Sequence, residues 1–177
     1  MPSTWDKQLV QDELREAQTD FHRLLDTATM ADLARPTNET RWNNEQLLFH
    51  MLFGYMITAA LLPLMRLFGR LPRGVGKGYA RLLDATTRPF DAINYLGPCA
   101  AIHIYGHRRM AAKFDRVIAS LLRRLDEETP ADLARGMHYP VRWDPFFKDY
   151  VTLADIYRYP TQHYNFHRRQ LTITNTS

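Results

Sequence analysis

The sequence predicts an all-α protein, a four-helix bundle with an extended connection between its second and third long helices. Three observations carry this. Four stretches repeat apolar residues in steps of three and four, the period of a helix buried along one side. No run alternates apolar and polar residues over the length of a strand. The chain has 177 residues, 45% of them hydrophobic and 24% charged. That suits a single domain over 1–177, with a core large enough to need no staples.

The first helix is expected over about 4–29. Val10, Leu14, Ala17, Phe21, Leu24 and Ala28 form one stripe, and Ser3 with Asp6 has the spacing of a capping box. Arg35-Pro36-Thr37-Asn38 reads as a loop. The second helix follows Asn43-Asn44, either of which suits the cap. From Leu47 to Met65 there are 19 residues without a charge, and His50 is the strongly polar exception. By length this run would span a bilayer. The preferred reading is a bundle helix buried on most sides, since no second such run exists and Pro63 interrupts its far end.

Residues 66–102 are the least periodic. Gly69, Gly74, Gly76 and Gly78 cluster there, with Arg66, Arg70, Arg73, Lys77 and Arg81 and no acidic residue before Asp84. Short helices are expected near 79–87 and 89–96. The third long helix carries Met110, Phe114, Val117, Leu121 and Leu125 and ends at Glu127-Glu128-Thr129-Pro130. A turn near 131–135 and an aromatic, proline-rich loop over 139–147 lead to the last helix. It starts at Thr152, with Asp155 in the capping-box position. Pro160 is expected to kink or break it one turn before His163, with the pattern resuming through Leu171.

Composition narrows the function. The single cysteine, Cys99, excludes a disulfide framework within the chain. With no basic-then-apolar leader, it points to a cytoplasmic protein. A net charge of +4 is too mild to argue for nucleic acid, and Tyr79 in the basic stretch is thin support for base stacking. There is no Gly-x-Ser-x-Gly elbow. Gly74-Val-Gly-Lys-Gly78 lacks the first glycine and the final hydroxyl of a phosphate loop. No Glu-x-x-His pair marks a di-iron bundle.

The chemistry-bearing candidate is His163-Tyr-Asn-Phe-His167. Two histidines at i and i+4 share one helix face, close enough for both imidazoles to reach one metal ion. His50, alone in an apolar helix, is costly there unless paired or metal-bound, and is a candidate for a third ligand. A rival set, Cys99, His103 and His107, has the same spacing, but Gly97, Pro98 and Gly106 weaken the helix that would carry it. His22 and His138 read as surface or loop residues. Arg168 and Arg169 follow the last ligand and suit an anion, and Trp42, Tyr159 and the loop over 143–147 suit the walls of a pocket.

Two stretches carry a family resemblance. Arg41-Trp42-Asn43-Asn44-Glu45-Gln46-Leu47-Leu48-Phe49-His50 resembles the Trp-to-Leu-x-x-His entry to the second helix of the DinB/YfiT-like superfamily of four-helix-bundle metalloproteins. Thr152–Asp155 through His163 and His167 to Gln170-Leu171 resembles its last helix. The resemblance implies that His50, His163 and His167 form a metal triad for a divalent ion, zinc or nickel. It implies a thiol-dependent S-transferase or hydrolase acting on a small electrophilic molecule, with a low-molecular-weight thiol as possible cosubstrate. Trp42, Tyr159 and Arg168 are then the candidate substrate contacts. A homodimer is the expected assembly, with neither nucleic acid nor membrane as partner. The alternative is a metal-stabilised bundle that serves as a binding or dimerisation module without turnover.

Overall fold

The computed structural model describes residues 6–71, 78, 87–139 and 146–173, without the side chains at 87–93, 101, 103–105, 107 and 108. Ser3, the stretch from Arg73 to Arg81 apart from Gly78, most of the expected helix over 79–87, and Trp143 lie outside the described residues. So do the side chains of Pro89, His103 and His107.

Helix α1 spans Lys7–Thr27. Asp6 is its cap, accepting from the backbone N–H groups of Gln8 and Leu9. Val10, Leu14, Ala17, Phe21 and Leu24 are buried as the stripe requires. A short helix not foreseen in the sequence, α2 (Met30–Ala34), follows, with Thr29 and Asp32 forming a capping box.

Helix α3 spans Asn44–Phe68, capped by Asn43 in a box with Gln46. Asn44 is instead fully buried, and its amide donates to Asp32 O and Thr172 Oγ1. Pro63 does not interrupt the helix. A proline removes the N–H that would bond the carbonyl four residues back, and that carbonyl, of Ala59, accepts instead from Arg124 Nη1 at 2.8 Å. Helix α3 is long and apolar enough to cross a membrane, yet 56% of its most apolar window is buried inside the fold.

Helix α4 spans Thr87–Glu127 and breaks at Gly106, whose φ of 58° a residue with a Cβ adopts only with strain. Gly97 and Pro98, expected to weaken the helix, lie within its first half without breaking it. The second half is the expected third bundle helix, ending at Glu127. Thr129 then caps a short α5 (Pro130–Leu133) in a box with Asp132, with Pro130 in its first turn.

Two short strands flank the aromatic, proline-rich loop, which corrects the expectation of no strands. Strand β1 (Gly136–His138) pairs antiparallel with β2 (Tyr150–Thr152). Each is too short to show an alternating pattern. Helix α6 spans Leu153–Arg168, with the expected Thr152–Asp155 capping box. It runs unbroken through Pro160 and ends before Leu171, so Gln170 and Leu171 belong to a tail.

Helix α3 packs on α4 and α6, and α1 packs on the same two, so α1 and α3 are diagonal. Gln11 meets Asp126 and Gln18 meets Asp115, so α1 and α4 are antiparallel. Tyr55 meets Phe114, and Ala59 meets Arg124, so α3 and α4 are parallel. Parallel neighbours need a connection that travels back along the bundle, which explains the length of the stretch after α3. At the centre each long helix contributes one aromatic ring: Phe21, Tyr55, Phe114 and Tyr164. Phe114 lies 4.5 Å from Phe21, 4.8 Å from Tyr55 and 6.4 Å from Tyr164, centroid to centroid.

Candidate metal centre

His50 lies in the second turn of α3, and His163 and His167 in the last two turns of α6. These two helices are antiparallel neighbours, so the three rings meet at one end of the aromatic core. His50 Nε2 and His163 Nε2 are 3.1 Å apart. The ring of His167 lies 4.7 Å from that of His50 and 4.5 Å from that of His163. One ligand atom from each fits within 4.8 Å of the others.

These distances suit a shared ion. Two nitrogens bound at about 2.0–2.1 Å lie about 2.9 Å apart at a right angle and about 3.3 Å apart at the tetrahedral angle. The His50–His163 separation falls between. Both rings are buried, and neither Nδ1 has a hydrogen-bond partner among the described residues. Imidazoles left so poorly satisfied by protein are expensive. Burial, and next the charge of a protonated His167, lowers His50 to about 3. Burial, then His50 and His167, holds His163 far below the ordinary histidine range. Both therefore stay neutral at physiological pH, as metal ligands must.

The surrounding side chains fix the rings. Trp42 lies over His50, with centroids 4.5 Å apart and planes tilted by 32°. Tyr95, from the first half of α4, stacks on Trp42 at 6.0 Å. Tyr159 lies one turn before His163, 5.7 Å from its ring, and Phe147 packs on Tyr159 at 4.6 Å. A Cβ on Gly54 would stand 2.8 Å from His163 Nδ1, so only glycine leaves room for that ring. His167 Nδ1 lies 2.7 Å from Gln170 Oε1. The sequence reading missed the roles of Gly54 and Gln170. A glycine one turn after a buried histidine was a usable signal for the first.

The predicted site residues divide. His50, His163, His167, Trp42 and Tyr159 come together. Arg168 turns toward α1, where Nε donates to Asp20 Oδ2 at 2.8 Å and Tyr164 OH donates to the same oxygen. Burial raises the Asp20 carboxyl, but these donors outweigh it and hold it below the usual carboxylate range. Arg169 is exposed and lines a cleft of about 510 Å³ with Asn38, Glu39, Phe166 and Gln170, beside His167. The rival set has no described imidazole. Cys99 Sγ donates to Tyr95 O at 3.3 Å. His22 bonds Asp115 at 2.7 Å on the surface between α1 and α4. His138 sits in β1.

Fold and site together define a four-helix bundle whose tri-histidine cluster is positioned for a divalent metal ion. The chain belongs to the DinB superfamily, whose family model matches residues 13–171. Among solved structures it is similar to YfiT from Bacillus subtilis, described as a probable metal-dependent hydrolase with an unusual four-helix bundle topology. That similarity covers 97% of this chain and 87% of YfiT, at 16% identity and a TM-score of 0.66. A search of curated proteins finds no match.

Proposed function

We propose that this protein is a metal-dependent enzyme, a hydrolase or thiol-dependent S-transferase, in which His50, His163 and His167 hold a divalent ion such as zinc or nickel. The observation that carries the reading is the convergence of three imidazoles with no carboxylate or thiol joining them among the described residues. Three protein donors leave positions open, the mark of catalytic rather than structural sites. A divalent ion supplies Lewis acidity there, which eases deprotonation of a water or a thiol near neutral pH. The description of YfiT as a probable metal-dependent hydrolase supports the hydrolytic branch.

The chain's own residues do the rest. Burial keeps the His50 and His163 lone pairs free of protons. Trp42 and Tyr159 present apolar faces that exclude water from the buried side of the cluster. Arg169, rather than Arg168, offers a positive charge to an acidic group on a small substrate, and Phe166 offers an apolar surface beside it.

The test is metal analysis of untagged protein beside a His167→Ala variant, followed by hydrolysis and thiol-transfer assays on small electrophiles. About one ion per chain, lost in the variant, with turnover in either assay, is the expected result. Metal retention without turnover would instead favour a metal-stabilised binding module. No metal in either sample would overturn the reading.

A further inference from the structure

We infer that Gln170 is a positioning residue: it fixes the tautomer of His167, leaving Nε2 unprotonated as the donor atom toward an ion shared with His50 and His163. The inference rests on the reading of the three histidines as a metal set, and adds to it a residue outside helix α6 on which the third ligand depends.

The three rings are held in three different ways. His50 is buried under Trp42, and His163 is buried against Gly54. Packing and their mutual Nε2–Nε2 contact set their orientation, and their Nδ1 atoms have no partner among the described residues. His167 is only half-buried and stands at the end of α6. It is also the ring with a short bond to a carboxamide oxygen, 2.7 Å from Nδ1 to Gln170 Oε1. An amide oxygen only accepts, so Nδ1 carries the proton and Nε2 is left as the donor atom for a metal. A neighbour that bonds the outer nitrogen of a metal-binding histidine in this way typically changes metal affinity by about 10–100-fold.

Gln170 is itself anchored. Its N–H donates to His167 O at 3.0 Å, and its carbonyl accepts from Asn38 N at 2.8 Å. Its side chain is buried, and Leu171 after it is buried in the core. Two residues on, Thr172 N donates to Asn44 Oδ1 at 2.9 Å, and Thr172 Oγ1 donates to Pro36 O at 2.8 Å. The tail is thus stitched to the loop before α3, and the carboxamide is delivered to His167 by a rigid support.

The experiment uses Gln170→Met, which keeps length and burial but removes the strong acceptor, and Gln170→Glu, which restores one. The first readout is the tautomer of His167 in metal-free protein, from imidazole nitrogen shifts in histidine-labelled samples. The second is zinc affinity by competition with a chelating dye. Wild type should show the Nδ1–H form. The Met variant should shift toward Nε2–H and bind zinc about 10–100-fold more weakly with an unchanged melting temperature, and the Glu variant should recover both. A Met variant with wild-type tautomer and wild-type zinc affinity overturns the inference while leaving the metal reading intact. A wild type that binds no zinc overturns both.

Discussion

Gly54 and His163 compete for the same space: the hydrogen on the Gly54 Cα points at the edge of the imidazole, where a methyl carbon would lie 2.8 Å from Nδ1. Such a contact is closer than real Cβ atoms tolerate, and the ring opposite is enclosed.

Gly54→Ala therefore sets two effects against each other. Alanine in a helix gains about 1 kcal/mol over glycine. Overpacking a filled site costs about 1–3 kcal/mol. The second wins because His163 is buried and has no free direction in which to retreat. The expected outcome is a folded protein, less stable by up to about 2 kcal/mol, with strongly weakened zinc binding. Denaturant titration and a zinc competition assay check it. Unchanged zinc affinity would show that His163 moves freely.

Arg124 and Pro63 form a compensating pair across α3 and α4. Arg124→Ala strands the Ala59 carbonyl and is expected to cost about 1–3 kcal/mol. Pro63→Ala restores an N–H to that carbonyl from within the helix. In the Pro63→Ala background, the cost of Arg124→Ala should shrink by at least half. A double-mutant cycle by chemical denaturation measures the coupling. Additive effects would mean that the arginine does nothing for the proline.

The buried histidines tie stability to pH. In the unfolded chain they titrate near the usual 6.5, whereas burial lowers His50 to about 3 and His163 in the same direction. Below about pH 6.5 the unfolded state binds protons that these two refuse in the fold. Metal-free protein should therefore lose stability steadily as pH falls from 6.5 toward 3. A His50→Leu, His163→Leu double variant should show a flatter profile and higher stability at pH 5, since it also removes two orphaned polar atoms. Melting curves at intervals of half a pH unit decide this. A double variant as acid-sensitive as wild type would assign the sensitivity elsewhere.

The bundle was legible in the sequence because its signals are local. The stripe from Val10 to Leu24 and the run from Met110 to Leu125 each lie within one helix, and so does the His163–His167 pair. His50 was legible by contrast with its apolar neighbours. What escaped depends on partners far along the chain. Pro63 looks like a helix breaker until Arg124 supplies the missing donor to Ala59, 65 residues away. Arg168 looks available for an anion until Asp20 takes it from α1. Strands of three residues carry no period at all. Gln170 reads as the end of a helix, and only the fold of the tail turns its amide back onto His167.

The long sequence separation of the bundle's contacts has a consequence for how the chain is made. Gln11 waits 115 residues for Asp126, and Tyr55 waits 106 for Thr161. As synthesis proceeds, the most apolar helix leaves the ribosome long before α6 exists to cover it. The nascent chain thus carries an exposed greasy segment until α6 is made, a state prone to aggregation and suited to chaperone capture. The histidine cluster closes only when the final helix arrives, so acquisition of the metal-binding site and completion of the fold are one event.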